Sequence, residues 1–170
     1  ARYSPTLTEL WAKTYDAGAN EESVRVRIDA SGATTVLAHQ WSSTSSGSNG
    51  LLVRFSTLGV TQGSAVIDYT INDQPYRLGL DPSGSVYVSG SQADTTPGGF
   101  VAKYNAGTLL ATPIWSRTFT AGDNGTGVFQ LGIQPGTATV FVVALDYGAN
   151  GSVAVIRFDG DGQQTVSVYY

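Results

Sequence analysis

Four stretches of this chain are versions of one strand: Trp11–Tyr15 (WAKTY), Ala65–Tyr69 (AVIDY), Trp115–Phe119 (WSRTF) and Val166–Tyr170 (VSVYY). Their last aromatics, Tyr15, Tyr69, Phe119 and Tyr170, follow one another at steps of 54, 50 and 51 residues. Self-similarity at such a period marks a repeat architecture, in which each unit buries its apolar face only against its neighbours.

The residues between these strands repeat as well. A polar, glycine-bearing loop is followed by an alternating strand: Val24–Asp29 (VRVRID), Tyr76–Asp81 (YRLGLD) and Val128–Gln134 (VFQLGIQ). Apolar residues at every second position predict a strand with one buried face. Turns with Gly or Pro come next, at Ala30-Ser31-Gly32, Pro82-Ser83-Gly84 and Pro135-Gly136. More apolar strands follow at Thr35–Ala38, Val86–Ser89 and Val140–Ala144. After a variable loop, longest at Trp41–Gly50, each copy ends in a strand where a basic residue precedes an aromatic: Arg54-Phe55, Lys103-Tyr104 and Arg157-Phe158.

Four strands in about 50 residues, without helical periodicity, predict a four-stranded meander, the unit of a β-propeller blade. A β-sandwich is the competing reading, but it does not need strands that recur at a fixed period. The expectation is an all-β chain: three tandem four-stranded antiparallel β-propeller-like blades plus a surplus N-terminal strand. The whole chain, 1–170, reads as one β-repeat domain, with blades over 24–70, 76–120 and 128–170 and the extra strand at 10–15.

At these residues the chain resembles the bacterial SBBP-type repeat, named for seven-bladed β-propellers. That pattern has a Trp-led strand, a strand ending Asp-x-x-Gly, a short apolar strand closed by Gly, and a strand ending Lys-Tyr-Asp. The best copy here is Arg77–Asn105, with RLGLDPSGSVYVSG and then GGFVAKYN. The third copy departs from the pattern, with Gln134-Pro135-Gly136 at the Asp-x-x-Gly turn. The resemblance implies a secreted or surface protein, does not imply an enzyme, and places the VRVRID-type strand innermost and the WAKTY-type strand outermost. The chain then holds one outer strand followed by three complete blades, and three blades are too few for an ordinary ring.

Composition narrows the partners. Net charge is −4, and the nine basic residues are spread along the chain, which argues against nucleic acid or an anionic membrane. No apolar run approaches the ~20 residues that span a bilayer. Cys is absent, so there is no disulfide framework and no thiolate chemistry. An opening at Ala1, low charge and abundant Ser, Thr and Gly fit a mature extracellular chain after signal-peptide removal, with a trimmed chain as the alternative.

Chemistry-bearing groups are sparse. His39 is the only histidine, so neither HExxH nor a Ser–His–Asp set with a Gly-x-Ser-x-Gly elbow can be built, and His39 reads as a loop-edge residue. Asp159-Gly160-Asp161-Gly162 lacks the Glu of a calcium loop and reads as a turn. Asp16, Glu21 and Glu22 form an acidic loop whose plainer role is solvation. Gly122–Gly127 lacks the Lys and the helix of a phosphate cradle. Trp41 beside Gln40 offers an aromatic for stacking on a sugar ring, against the plainer role of capping a blade end. Asn124 and Asn150 fit the N-glycosylation pattern. No catalytic residue, cofactor or metal site is expected.

The expected function is therefore assembly: a secreted, non-enzymatic subunit that associates with copies of itself. The residues assigned to that role are Trp11, Ala12, Lys13, Thr14 and Tyr15 at one end and Val166, Val168 and Tyr170 at the other. A closed dimer of about six blades and an open head-to-tail filament are both open. The alternative is an oligomeric propeller lectin that binds glycans through Trp41 and Gln40.

Overall fold

The computed structural model describes residues 1–41, 47–69, 72–92, 98–105, 112–121, 125–147 and 151–169, the side chains of 166, 167 and 169 excepted. The chain is all-β. It opens with a hairpin, β1 (Arg2–Tyr3) and β2 (Glu9–Trp11). The first blade is β3 (Asn20–Ile28), β4 (Thr34–Trp41), β5 (Ser48–Phe55) and β6 (Thr61–Ile67). The second is β7 (Asp73–Leu80), β8 (Val86–Gln92), β9 (Gly98–Tyr104) and β10 (Trp115–Phe119). The third is β11 (Thr126–Ile133), β12 (Val140–Asp146), β13 (Val153–Phe158) and β14 (Gln164–Tyr169). Each blade is an antiparallel meander in chain order. Within each, the strands are A to D below, from innermost to outermost.

The Asp-x-x-Gly turns explain themselves. Asp29 Oδ1 accepts the backbone N–H of Ser31 (2.8 Å) and Ala33 (3.0 Å), and Gly32 takes φ +85 to close the hairpin. Asp81 does the same for Ser85 (2.9 Å), with Gly84 at φ +82. In the third blade Gln134 has no such short carboxylate. Its turn is one residue longer, with Gln134 N–H bonded to Thr139 O (3.0 Å) and Gly136 at φ +75.

Two apolar cores hold the blades face to face. Leu37, Leu52 and Ile67 of the first blade meet Leu78, Phe100 and Tyr104 of the second. Tyr87, Val101 and Phe119 of the second meet Val128, Val142 and Phe158 of the third. The A strands converge: Ile28, Leu80 and Ile133 all border one cavity of about 350 Å³. The sheets are thus arranged around a common axis.

Strand register corrects two of the expectations. Arg54 pairs with Gly63, Lys103 with Trp115, and Arg157 with Val166. The second copy of the outer strand is therefore Gly63–Ile67, and the aromatic Tyr69 lies two residues beyond the position equivalent to Phe119. The repeat positions become Trp11, Gly63, Trp115 and Val166, at nearly even steps of 52, 52 and 51 residues.

The other correction concerns the N-terminal strand. It is not unpaired: β2 pairs with β1, Arg2 opposite Trp11 and Tyr3 opposite Glu9. Regular pairing also stops at Trp11, so Ala12, Lys13, Thr14 and Tyr15 are outside any strand.

Candidate functional site

The N-terminal hairpin is the outer half of a blade. Its irregularity lies between Arg2 and Tyr3, as it does between Arg54 and Phe55 and between Arg157 and Phe158. Its turn is also the same. Ser4 N–H bonds Thr8 O (2.8 Å) and Leu7 N–H bonds Ser4 O (2.9 Å), while Ser56 N–H bonds Val60 O (2.8 Å) and Gly59 N–H bonds Ser56 O (3.0 Å). Leu7 even takes the left-handed φ of +60 that glycine holds in the sister turns. β1 and β2 are thus a C–D hairpin without an A–B hairpin beside it.

This half-blade docks on the first blade as a complete blade docks on the next. Trp11 Nε1 donates to Thr57 O (3.0 Å) and its ring lies 5.9 Å from Phe55. Trp115 Nε1 donates to Gly160 O (2.9 Å) and its ring lies 6.4 Å from Phe158. Glycine is required under each indole: a Cβ at Gly59 would sit 2.8 Å from Trp11, and one at Gly162 2.5 Å from Trp115. Arg2 reaches across as well, donating to Gly32 O (2.9 Å).

Where the A and B strands of that half-blade would lie, there is a groove of about 480 Å³ walled by Trp11, Lys13, Val26, Thr34, Val36 and Phe55. Pairing identifies the repeat positions. Val26, Leu78 and Leu131 face Val36, Val88 and Val142. Leu78 is 3% exposed beneath the first blade, whereas Val26 is 53% exposed and Ile28 58%. The first blade's surface has the residues of a blade seam but only half a neighbour.

The far end is also open. Phe141 and Val143 on β12, with Val155 and Arg157 on β13, share the face that Tyr87, Ser89, Val101 and Lys103 present in the second blade. Tyr87, Ser89 and Val101 are fully buried there, while Phe141, Val143 and Val155 are only half-buried and Val168 is exposed. Gly79 and Gly132 are likewise equivalent, opposite Tyr87 and Phe141. A Cβ at Gly79 would sit 2.6 Å from Leu131 of the next blade, but one at Gly132 would meet nothing within 4 Å.

Charge follows the same pattern. Arg54 is paired with Asp29 in its own blade, both side chains 6% exposed, and Thr35 Oγ1 accepts from its Nη1 (3.3 Å). Burial raises the Asp29 carboxyl, but hydrogen bonds from Ser31, Arg54 and Ala33 outweigh it and hold it below its ordinary value. In the second blade Lys103 lies over the Tyr87 ring (5.4 Å) and Tyr87 Oη donates to Asp81 (3.1 Å). In the third blade Gln134 replaces the aspartate, and the buried Nε of Arg157 has no hydrogen-bond partner.

The remaining sequence candidates fall elsewhere. His39 lies within β4, not at a loop edge, with Nε2 2.9 Å from Pro75 O at the seam of the first two blades. Trp41 ends β4, 37% exposed, with its ring edge-on to His39 at 5.4 Å, and Gln40 beside it is half-buried and paired with Asn49. Asp159 Oδ1 accepts Asp161 N–H and Gln163 N–H, so its carboxylate is spent on its own turn. Asp16 and Glu21 likewise cap backbone N–H groups of their own loop. Among the described residues no cluster of three His, Cys, Asp or Glu could hold a metal, and no helix is long and apolar enough to cross a membrane. Asn124, Asn150, Tyr170 and the side chain of Val166 lie outside the described residues.

The half-blade was the feature that sequence reading missed. The signal was present: Arg2-Tyr3-Ser4 repeats Arg54-Phe55-Ser56, nine residues before Trp11 and Gly63 respectively. The fold and this site define an all-β chain of three blade-like four-stranded sheets with a two-stranded hairpin docked on the first. No protein-family model matches the chain, and no curated protein sequence matches it.

Proposed function

We propose that this protein is a secreted, non-enzymatic structural subunit, related to SBBP-type repeats, that works by assembling with copies of itself into a surface filament. One observation carries the reading. Residues at the same repeat positions are buried between blades and less covered at the two ends, Leu78 against the exposed Val26 and Tyr87 against the half-buried Phe141. Apolar sheet faces of this kind invite association. The route differs from a dangling strand, because Trp11 is already engaged, so the contact surfaces are the groove of the first blade and the Phe141–Val143–Val155 face of the third.

The test is static light scattering across micromolar concentrations, with electron micrographs of the same samples. The expected result is mass above the 17.8 kDa of one subunit and visible polymers, both lost when Val143→Glu and Val155→Glu are combined. A mass of one subunit at every concentration, with no polymers, overturns the proposal.

A further inference from the structure

We infer that the seam between the second and third blades binds one sugar ring that carries a carboxylate, a uronic or sialic acid residue, set between the Tyr76 and Tyr147 rings with its acid group on Arg77. This site lies within the repeat and stands apart from self-association.

The repeat itself builds the place. In each blade strand A bulges at one residue, Val24, Tyr76 and Phe129 in turn. A bulge re-aims its side chain and is common beside binding sites. Val24 packs on the core between the first two blades, whereas Tyr76 is half-buried and Phe129 exposed. Strand B adds a further ring. Ala38 and Ala144 are equivalent by pairing, so Trp41 and Tyr147, three residues on, are equivalent too. Trp41 meets His39 edge-on, but Tyr147 is 61% exposed at the mouth of a cleft. That cleft, of about 180 Å³, is walled by Tyr76, Arg77, Gly127, Val128, Phe129 and Tyr147.

The rings are held in place. Tyr76 Oη donates to Gln74 Oε1, and its ring lies 6.0 Å from that of His39 in the first blade. Tyr147 N–H donates to Gly125 O (3.1 Å). Gly127 makes room for both rings of the third blade: a Cβ there would sit 2.2 Å from Tyr147 Oη and 2.9 Å from the Phe129 ring. Rings fixed beforehand lose little freedom when a ligand stacks on them. The C–H face of a sugar suits an aromatic face, and tyrosine adds a hydroxyl for its rim.

Charge names the substituent. Arg77 Nε donates to Gln130 Oε1 (3.0 Å) and Nη1 to Tyr76 O (3.0 Å), which fixes the guanidinium at the cleft wall. Among the described residues Nη2 has no hydrogen-bond partner, and no carboxylate lines the cleft. Burial lowers the Arg77 guanidinium from its ordinary value, and the charge of Arg25 on the first blade lowers it further. An anion at this wall offsets both. A planar guanidinium fits a carboxylate in particular. A carboxylate without a ring would leave the tyrosines idle, and a neutral sugar would leave the guanidinium uncompensated. The cleft is smaller than the ~300 Å³ at which drug-sized pockets begin, so it takes one ring.

The probes are the methyl glycosides of glucuronic, galacturonic and N-acetylneuraminic acid, with methyl glucoside and sodium acetate as comparisons. Each is titrated into the full chain and followed by two-dimensional NMR of backbone amides. Saturable shifts at Arg77, Gly127, Phe129 and Tyr147 are expected with at least one acidic glycoside. Methyl glucoside and acetate should each bind about tenfold more weakly, since each lacks either the charged partner or the ring. Tyr147→Ala, a surface change, should weaken binding about fivefold, as expected for one lost stacking face.

Arg77→Gln should abolish the preference for the acidic glycoside over the neutral one. Arg77→Lys keeps the charge without the fork and should retain part of it, in a chain whose spectrum shows an intact fold. No saturable binding of any acidic glycoside, or shifts confined to other parts of the chain, overturns the inference. Acetate that binds as tightly as the glycosides overturns the ring, and a preference for acid that survives Arg77→Gln overturns the role of Arg77.

Discussion

The second and third blades are built from the same elements and live in different surroundings. On the second blade, β8 is buried along nearly its whole length, because a sheet lies on each side. On the third, β12 alternates between buried and half-buried residues, because only one side is covered. The same repeat position thus holds a core residue at Tyr87 and a partly wet one at Phe141. Burial here is set by neighbours more than by the blade itself, as expected of a repeat protein.

The comparison breaks most readily at its largest difference. Tyr87→Ala should cost about 3–5 kcal/mol, the range for deleting a buried aromatic, whereas Phe141→Ala should cost under about half as much. Urea denaturation at low protein concentration measures both. Equal losses would mean that the face of the third blade is covered in solution.

The basic residues come next. Arg54→Ala strands the buried Asp29 carboxylate and should cost about 3 kcal/mol. Arg157→Ala removes a group whose Nε is already unpaired and should cost about 1 kcal/mol or less. The pair also sets an acid limit. Asp29 and Asp81 titrate below their ordinary values in the folded chain, so each adds stability above the unfolded carboxylate range, and that stability is lost as pH falls through the lower folded value. Melting temperatures measured from pH 6 down to about pH 2 should therefore fall below roughly pH 4, and less steeply in Asp29→Asn.

A smaller contrast sits at two glycines. Gly79→Ala drives a methyl into Leu131 across the seam and should cost about 1–3 kcal/mol. Gly132→Ala meets open space and should stay within about 0.5 kcal/mol of the native chain. One change is expected to be a gain: Leu7→Gly should relieve about 1 kcal/mol of left-handed backbone strain in the half-blade turn.

These contrasts also show what could be read in the sequence. The meander was legible because the Asp-x-x-Gly turns and the alternating strands are chemically local: Asp29 and Gly32 make their turn without help from elsewhere. The phase of the second outer strand was not legible. Its own end is Ile67, and Tyr69 just beyond it supplies a misleading aromatic. The half-blade was masked by chemistry at its turn, where Leu7 stands in for the usual glycine and only the Trp11 contact with Thr57 and Phe55 restores the motif.

The shortness of the N-terminal hairpin has a kinetic consequence. Two ladder residues in β1, a strained Leu7 and a largely exposed surface place it at the low end of local stability, while its twin at Phe55 and Gly63 is locked inside a full sheet. Amide hydrogens at Tyr3 and Trp11 should therefore exchange with solvent long before those of Val53 and Ala65. The N-terminal hairpin is then expected to open more readily than the first blade it rests on, and anything that binds over it would be felt first as a slowing of that breathing.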